Sequence, residues 1–117
     1  MKRFNLSLKE PHIDVIDDLK EKLSITDNNE IINKLVKSAN ELKNNDLIFG
    51  TQREKCSGGC FAAEPHFEVQ IEEDIFHQLK KIYIDYDFDN YKTDEEEVGK
   101  VIRCIINFFE DEPQLIK

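Results

Sequence analysis

Apolar and polar residues alternate from the third position. Phe4, Leu6 and Leu8 fall on one side, Arg3, Asn5 and Ser7 on the other. A period of two over this length predicts a half-buried strand. The period then changes. Pro11 suits the first turn of a helix, where its missing N–H forfeits no hydrogen bond. Ile13, Ile16, Leu19 and Leu23 follow at spacings of three and four, the stripe of an amphipathic helix of about three turns. Ser24, Ile25 and Thr26 close it. Thr26 or Asp27 can cap the next helix, answered by Asn29 or Glu30. Ile31, Leu35 and Ala39, with Val36 and Leu42 beside them, carry a second stripe to about residue 42.

Residues 44–65 hold three of the four glycines and show no period. They read as a connector, with a short ordered piece at residues 47–49. The first pattern then returns. Phe67, Val69 and Ile71 alternate with His66, Glu68, Gln70 and Glu72. Ile75, Phe76, Leu79, Ile82 and Tyr83 make a helical stripe, Thr93 and Asp94 offer a cap, and Val98, Val101, Ile102, Ile105, Ile106 and Phe109 form a last helix ending near residues 110–113. The halves superpose in order. Phe4, Leu6, Leu8, Ile16 and Leu19 fall on Phe67, Val69, Ile71, Leu79 and Ile82 at an offset of 63, and Thr26, Asp27, Ile31 and Leu35 fall on Thr93, Asp94, Val98 and Ile102 at an offset of 67. Four extra residues in the second inter-helix turn reconcile the two. The expectation is a mainly α fold with short strands, built from tandem β-α-α repeats and either pseudo-two-fold or dimeric. Residues 1–45 are the first unit, 46–65 the connector and 66–117 the second. Units of this size are too small to stand alone, so they must share a core.

Charge separates the copies. Residues 1–45 hold eight basic and eight acidic side chains, whereas residues 64–117 hold six basic and fifteen acidic ones, which accounts for the whole net charge of −9. Phosphate is repelled by the second half and tolerated by the first. No apolar run is long enough to cross a membrane, the first residues lack the apolar core of a signal peptide, and three cysteines make an odd count that suits a reducing compartment. A cytoplasmic protein is expected. No glycine loop for phosphate, nucleophile–base pair or acid–base carboxylate pair is recognisable, and His12 and His77 fall on predicted helix surfaces, so an enzyme is not expected.

A strand, a helix, a tight turn and a helix within about forty residues resembles the ribbon-helix-helix (Arc/CopG-like) family. The likeness rests on Phe4, Asn5, Leu6, Ser7 and Leu8, then Ile13, Ile16, Leu19 and Leu23, then Ser24, Ile25, Thr26, Asp27 and Asn28, then Ile31 and Leu35. The resemblance implies a small homodimeric transcription regulator, acting on a promoter such as its own. Its two-stranded ribbon enters the DNA major groove with outward side chains against the bases. Carried over to this chain, the base readers are Arg3, Asn5 and Ser7, the phosphate contacts are Lys2 and Lys9, and the start of the second helix at Thr26 and Asn28 offers backbone N–H groups to a phosphate. The chain departs from the family at Ser24, where a glycine is common, and at Asp27, where a basic residue is common. Two pairings are open. A first strand paired with its twin in a second chain gives a near-neutral ribbon; paired with the second strand of its own chain, it gives a ribbon that is half acidic and poorer for DNA.

Two further constellations carry chemistry. Counted from Asp85, oxygen-bearing positions fall at Asp85, Asp87, Asp89, Tyr91 (through its carbonyl), Thr93 and Glu96, a spacing that resembles a helix-loop-helix calcium loop, with Asn90 and Lys92 as departures. Cys56 and Cys60, with His66, offer soft ligands for zinc. The plain alternatives are a solvent-facing strand, a solvated acidic turn, and two loop thiols without a ligand. The alternative to DNA binding is an acidic module that holds a basic protein partner or a divalent cation.

Overall fold

The computed structural model describes residues 1–50, 65–86 and 93–116. The order strand–helix–helix occurs twice: β1 (Lys2–Ser7), α1 (Glu10–Leu23) and α2 (Asn28–Leu42), then β2 (Pro65–Ile71), α3 (Glu73–Asp85) and α4 (Asp94–Asp111). A π-helical turn, Asp46–Gly50, follows α2, and a 3-10 turn, Pro113–Leu115, ends the described chain. The protein is thus mainly helical, with one short antiparallel sheet.

The alternation at the start of the chain forms β1, and its partner is β2 of the same chain. They run antiparallel with Arg3 opposite Gln70, Phe4 opposite Val69, Asn5 opposite Glu68 and Leu6 opposite Phe67, and the register shifts after Leu6. Phe4, Leu6, Val69 and Ile71 turn inward and are buried. Burial of these apolar side chains on one face fixes the register, because a slip of one residue would expose them all.

The local signals for the helices act as anticipated, with adjustments. Pro11 lies in the first turn of α1. Asp27, not Thr26, caps α2: its Oδ2 accepts from the Glu30 backbone N–H at 2.8 Å. Thr93 Oγ1 caps α4 through the Glu96 N–H at 3.2 Å. The turn between α1 and α2 requires a left-handed residue, and Ser24 adopts it at φ 57°, at a steric cost that glycine would avoid.

Both halves contribute to one core. α4 is its centre, touching β1, α1, α2, α3 and the π-helical turn. Sequence periodicity assigns α4 a single apolar stripe, but every residue from 98 to 106 is buried, including Lys100 and Arg103. The last helix therefore runs through the middle of the molecule. The connector expected over residues 46–65 also contributes, because Ile48 and Phe49 of the π-helical turn are buried in this core. His12 is another correction: it is 3% exposed, and its Nδ1 accepts from the Lys9 backbone N–H at 3.1 Å, closing the start of α1. His77 is exposed, as its place on the helix suggests.

Candidate nucleic-acid interface

The outer face of the ribbon is polar. Arg3 and Asn5 are exposed and Ser7 is half-buried on β1; Glu68 is exposed and Gln70 half-buried on β2. Arg3 Nε lies 3.4 Å from Glu68 Oε1, with the two side chains 63% and 53% exposed. The Gln70 side-chain amide lies 3.2 Å from Arg3 Nε and 2.9 Å from Nη2, and accepts from both when its oxygen faces the guanidinium. Arg3 is thus bracketed by the two outward residues of β2. An ion pair this open to water contributes roughly 0–1 kcal/mol, so the guanidinium can exchange Glu68 for another acceptor at small cost. Glu72, the second carboxylate expected in this row, lies beyond β2 at the cap of α3. The described outward row carries one positive charge and one negative charge. The positive charge lies on β1 and the negative charge on β2, with Glu72 exposed just past the strand.

A helix bonds each edge of the ribbon at one residue. The Gln70 N–H donates to Asn29 Oδ1 at 2.7 Å. Asn33 Nδ2 donates to the Gln70 carbonyl at 2.9 Å and to the Asn29 carbonyl at 2.8 Å. On the other edge, Arg103 Nη1 donates to the Ser7 carbonyl at 2.8 Å. These bonds satisfy backbone groups that an open edge would offer to another strand. Asn29, Asn33 and Arg103 were not identified from sequence as ribbon contacts, because such bonds join residues far apart in the chain. The one visible hint was a polar Asn33 next to the apolar stripe of α2.

The residues that the resemblance assigns to phosphate diverge. Lys2 is half-buried, with its Nζ 5.2 Å from the Phe76 ring centroid and 3.7 Å from Glu95 Oε1. It leans toward the start of α4. Lys9 follows β1 as the cap residue of α1. Thr26 is exposed, and Asn28 is tied back to α1 by Lys20 Nζ, which donates to its Oδ1 at 2.7 Å. The start of α2, which flanks β2, carries the Asp27 carboxylate. The start of α4, which flanks β1, carries Asp94, Glu95, Glu96 and Glu97. Carboxylates there favour the helix dipole and oppose phosphate. Asp94 also holds Lys80 at 2.9 Å, and this hydrogen bond raises the lysine pKa above its ordinary value.

The metal constellations fall largely elsewhere. Asp87, Asp89 and Tyr91, like Cys56 and Cys60, lie outside the described residues, as does the side chain of His66. Asp85 ends α3, Thr93 caps α4, and Glu96 lies in the first turn of α4. Among the described residues no group of three or more His, Cys, Asp or Glu side chains is placed to hold a metal ion. Cys104 of α4 is fully buried in the core. Among the described residues no helix is long and apolar enough to cross a membrane.

One more polar pair joins the π-helical turn to α3. The Tyr86 hydroxyl donates to Asp46 Oδ1, and the Tyr86 ring lies 5.7 Å from that of Phe49. The hydrogen bond to the carboxylate pushes the phenol pKa up to about 12 from an ordinary 10. Because the folded value is the higher, the pair's contribution to stability is fully present below about pH 10 and is lost as pH rises through about 12. Absorbance titration of the tyrosines should show this late phenolate; Asp46→Asn should return it toward 10 and Tyr86→Phe should remove it.

No protein-family model, no curated protein and no solved structure matches the chain.

Proposed function

We propose that the chain is a DNA-binding regulator of ribbon-helix-helix type, in which two divergent copies of one β-α-α unit fold together within a single chain. The observation that carries this reading is the polar outward row of the ribbon. Arg3, Asn5 and Ser7 are side chains suited to base edges, and Arg3 balances Glu68, the carboxylate in the described part of that row. The register supports the duplication independently. At an offset of 63, Asn5 corresponds to Glu68 and Ser7 to Gln70. In the ribbon Asn5 faces Glu68, and Arg3 faces Gln70, the counterpart of Ser7. Equivalent residues meet at the centre, as a two-fold axis between the copies demands. The helices exchange partners in the same way: α2 of the first copy bonds β2, and α4 of the second bonds β1.

Base edges rather than phosphates then supply most of the affinity. Non-specific DNA binding is a backbone effect, and the carboxylates at the start of α4 suppress it. Retention of genomic fragments at about 50 mM salt tests the reading. One defined fragment should be retained, with a slope of log affinity against log salt of about −1, because Lys2 leans to Glu95 and leaves Lys9 as the phosphate contact expected from the resemblance. Failure to retain any fragment at low salt sinks the reading.

A second reading, an acidic surface for a basic protein partner, is favoured by Asp94, Glu95, Glu96 and Glu97 in one helical turn. The triple change Glu95→Gln, Glu96→Gln and Glu97→Gln separates the two. Under the DNA reading it strengthens binding to every duplex alike; under the second it abolishes binding to an arginine-rich peptide.

A further inference from the structure

We infer that the DNA site is a single, non-palindromic sequence bound by one chain. The inference rests on the DNA reading and adds the symmetry, stoichiometry and base content of the site. A ribbon made of two identical strands presents the same side chains to both halves of its site, so its operator mirrors the protein's two-fold axis. This ribbon does not. The copies differ at each outward position: Arg3 against His66, Asn5 against Glu68, Ser7 against Gln70. Nor is a second chain needed to complete it. The ribbon pairs within the chain, its inner face is buried, Asn29 and Asn33 bond one edge at Gln70, and Arg103 bonds the other at Ser7.

The arrangement along the ribbon is polarised. At one end Arg3 and Gln70 stand side by side, within 2.9 Å of each other. Arg pairs with guanine O6 and N7, and the Gln70 amide beside it orients the guanidinium rather than reading a base of its own. At the centre Asn5 faces Glu68. Asn suits adenine, and a glutamate accepts from the cytosine N4 amino group. At the other end Ser7 accepts or donates to either kind of base and discriminates little. The site therefore carries guanine at the Arg3 end and adenine and cytosine at the middle, with Ser7 adding little discrimination beyond them.

The test is selection from a randomised duplex pool with the full-length protein, followed by native mass measurement of the complex and a repeat with Glu68→Gln. The expected result is a short asymmetric motif, one chain per duplex. In Glu68→Gln the cytosine preference falls about ten-fold while the guanine preference stays. Glu68 is exposed, and circular dichroism verifies that the variant is folded. A palindromic motif with two chains per duplex overturns the inference and leaves the DNA reading standing. An asymmetric motif whose cytosine position is unmoved by Glu68→Gln overturns the assigned orientation of the ribbon. Absence of enrichment overturns both the inference and the reading beneath it.

Discussion

Leu6→Ala will lower the unfolding free energy by about 3 kcal/mol, within the range for fully buried leucines. Leu6 is 0% exposed in the middle of β1, and its side chain reaches α4 where that helix has a glycine: a Cβ built on Gly99 would lie 3.7 Å from Leu6 Cδ1. The truncation removes apolar contacts at the seam between strand and central helix, and neighbours held by ribbon hydrogen bonds on one side and by α4 on the other can collapse only partly into the space. Against a total stability of about 5–15 kcal/mol, this is a severe loss. In urea the transition midpoint should fall with its slope unchanged. The adjacent Asn5→Ala, on the exposed face, should stay within about 0.5 kcal/mol of the parent. The contrast between these two consecutive residues reports the pleat directly.

Arg3→Ala will lower affinity for the selected duplex by about ten- to a hundred-fold, the worth of one bidentate base contact. A second effect adds to it, because removal of the guanidinium leaves the Glu68 carboxylate uncompensated against the DNA. The melting temperature should barely move, since the Arg3–Glu68 pair is open to solvent and such pairs contribute little. Arg3→Lys keeps the charge but lacks the planar fork, so it should recover the charge-dependent part of the loss without restoring preference for guanine. Equal affinity for guanine-bearing and guanine-free duplexes in the parent protein would remove Arg3 from the role of base reader.

The parts of this architecture that depend on local chemistry were legible in the sequence. Alternation at Phe4, Leu6 and Leu8 marks β1, Pro11 marks the start of α1, and the hydroxyl of Thr93 marks the start of α4. Each of these acts within a turn or two of chain. What escaped depends on distant contacts. Periodicity gave α4 one buried face, and nothing local marks Lys100 and Arg103 as interior; they are buried because elements from both halves close around that helix. Ile48 and Phe49 lie in an aperiodic stretch, so their place in the core depends on where α2 ends. His12 has the spacing of the buried stripe, four residues before Ile16 and seven before Leu19, but its polar ring hides this until its Nδ1 is seen to accept from the Lys9 N–H. The candidate site was legible in the same measure. The outward positions of Arg3, Asn5 and Ser7 follow from the pleat, whereas the partner strand does not, and with it the placement of Glu68 and Gln70 against Arg3.

The most direct test of the central claim is titration of the selected duplex into isotope-labelled protein, followed by the backbone amide signals. A ribbon that reads DNA will shift the amides of residues 3–7 and 68–70 in proportion to bound duplex, and leave those of residues 108–111 at the far end of α4 in place. Ribbon amides that stay unmoved at saturating duplex would contradict the account.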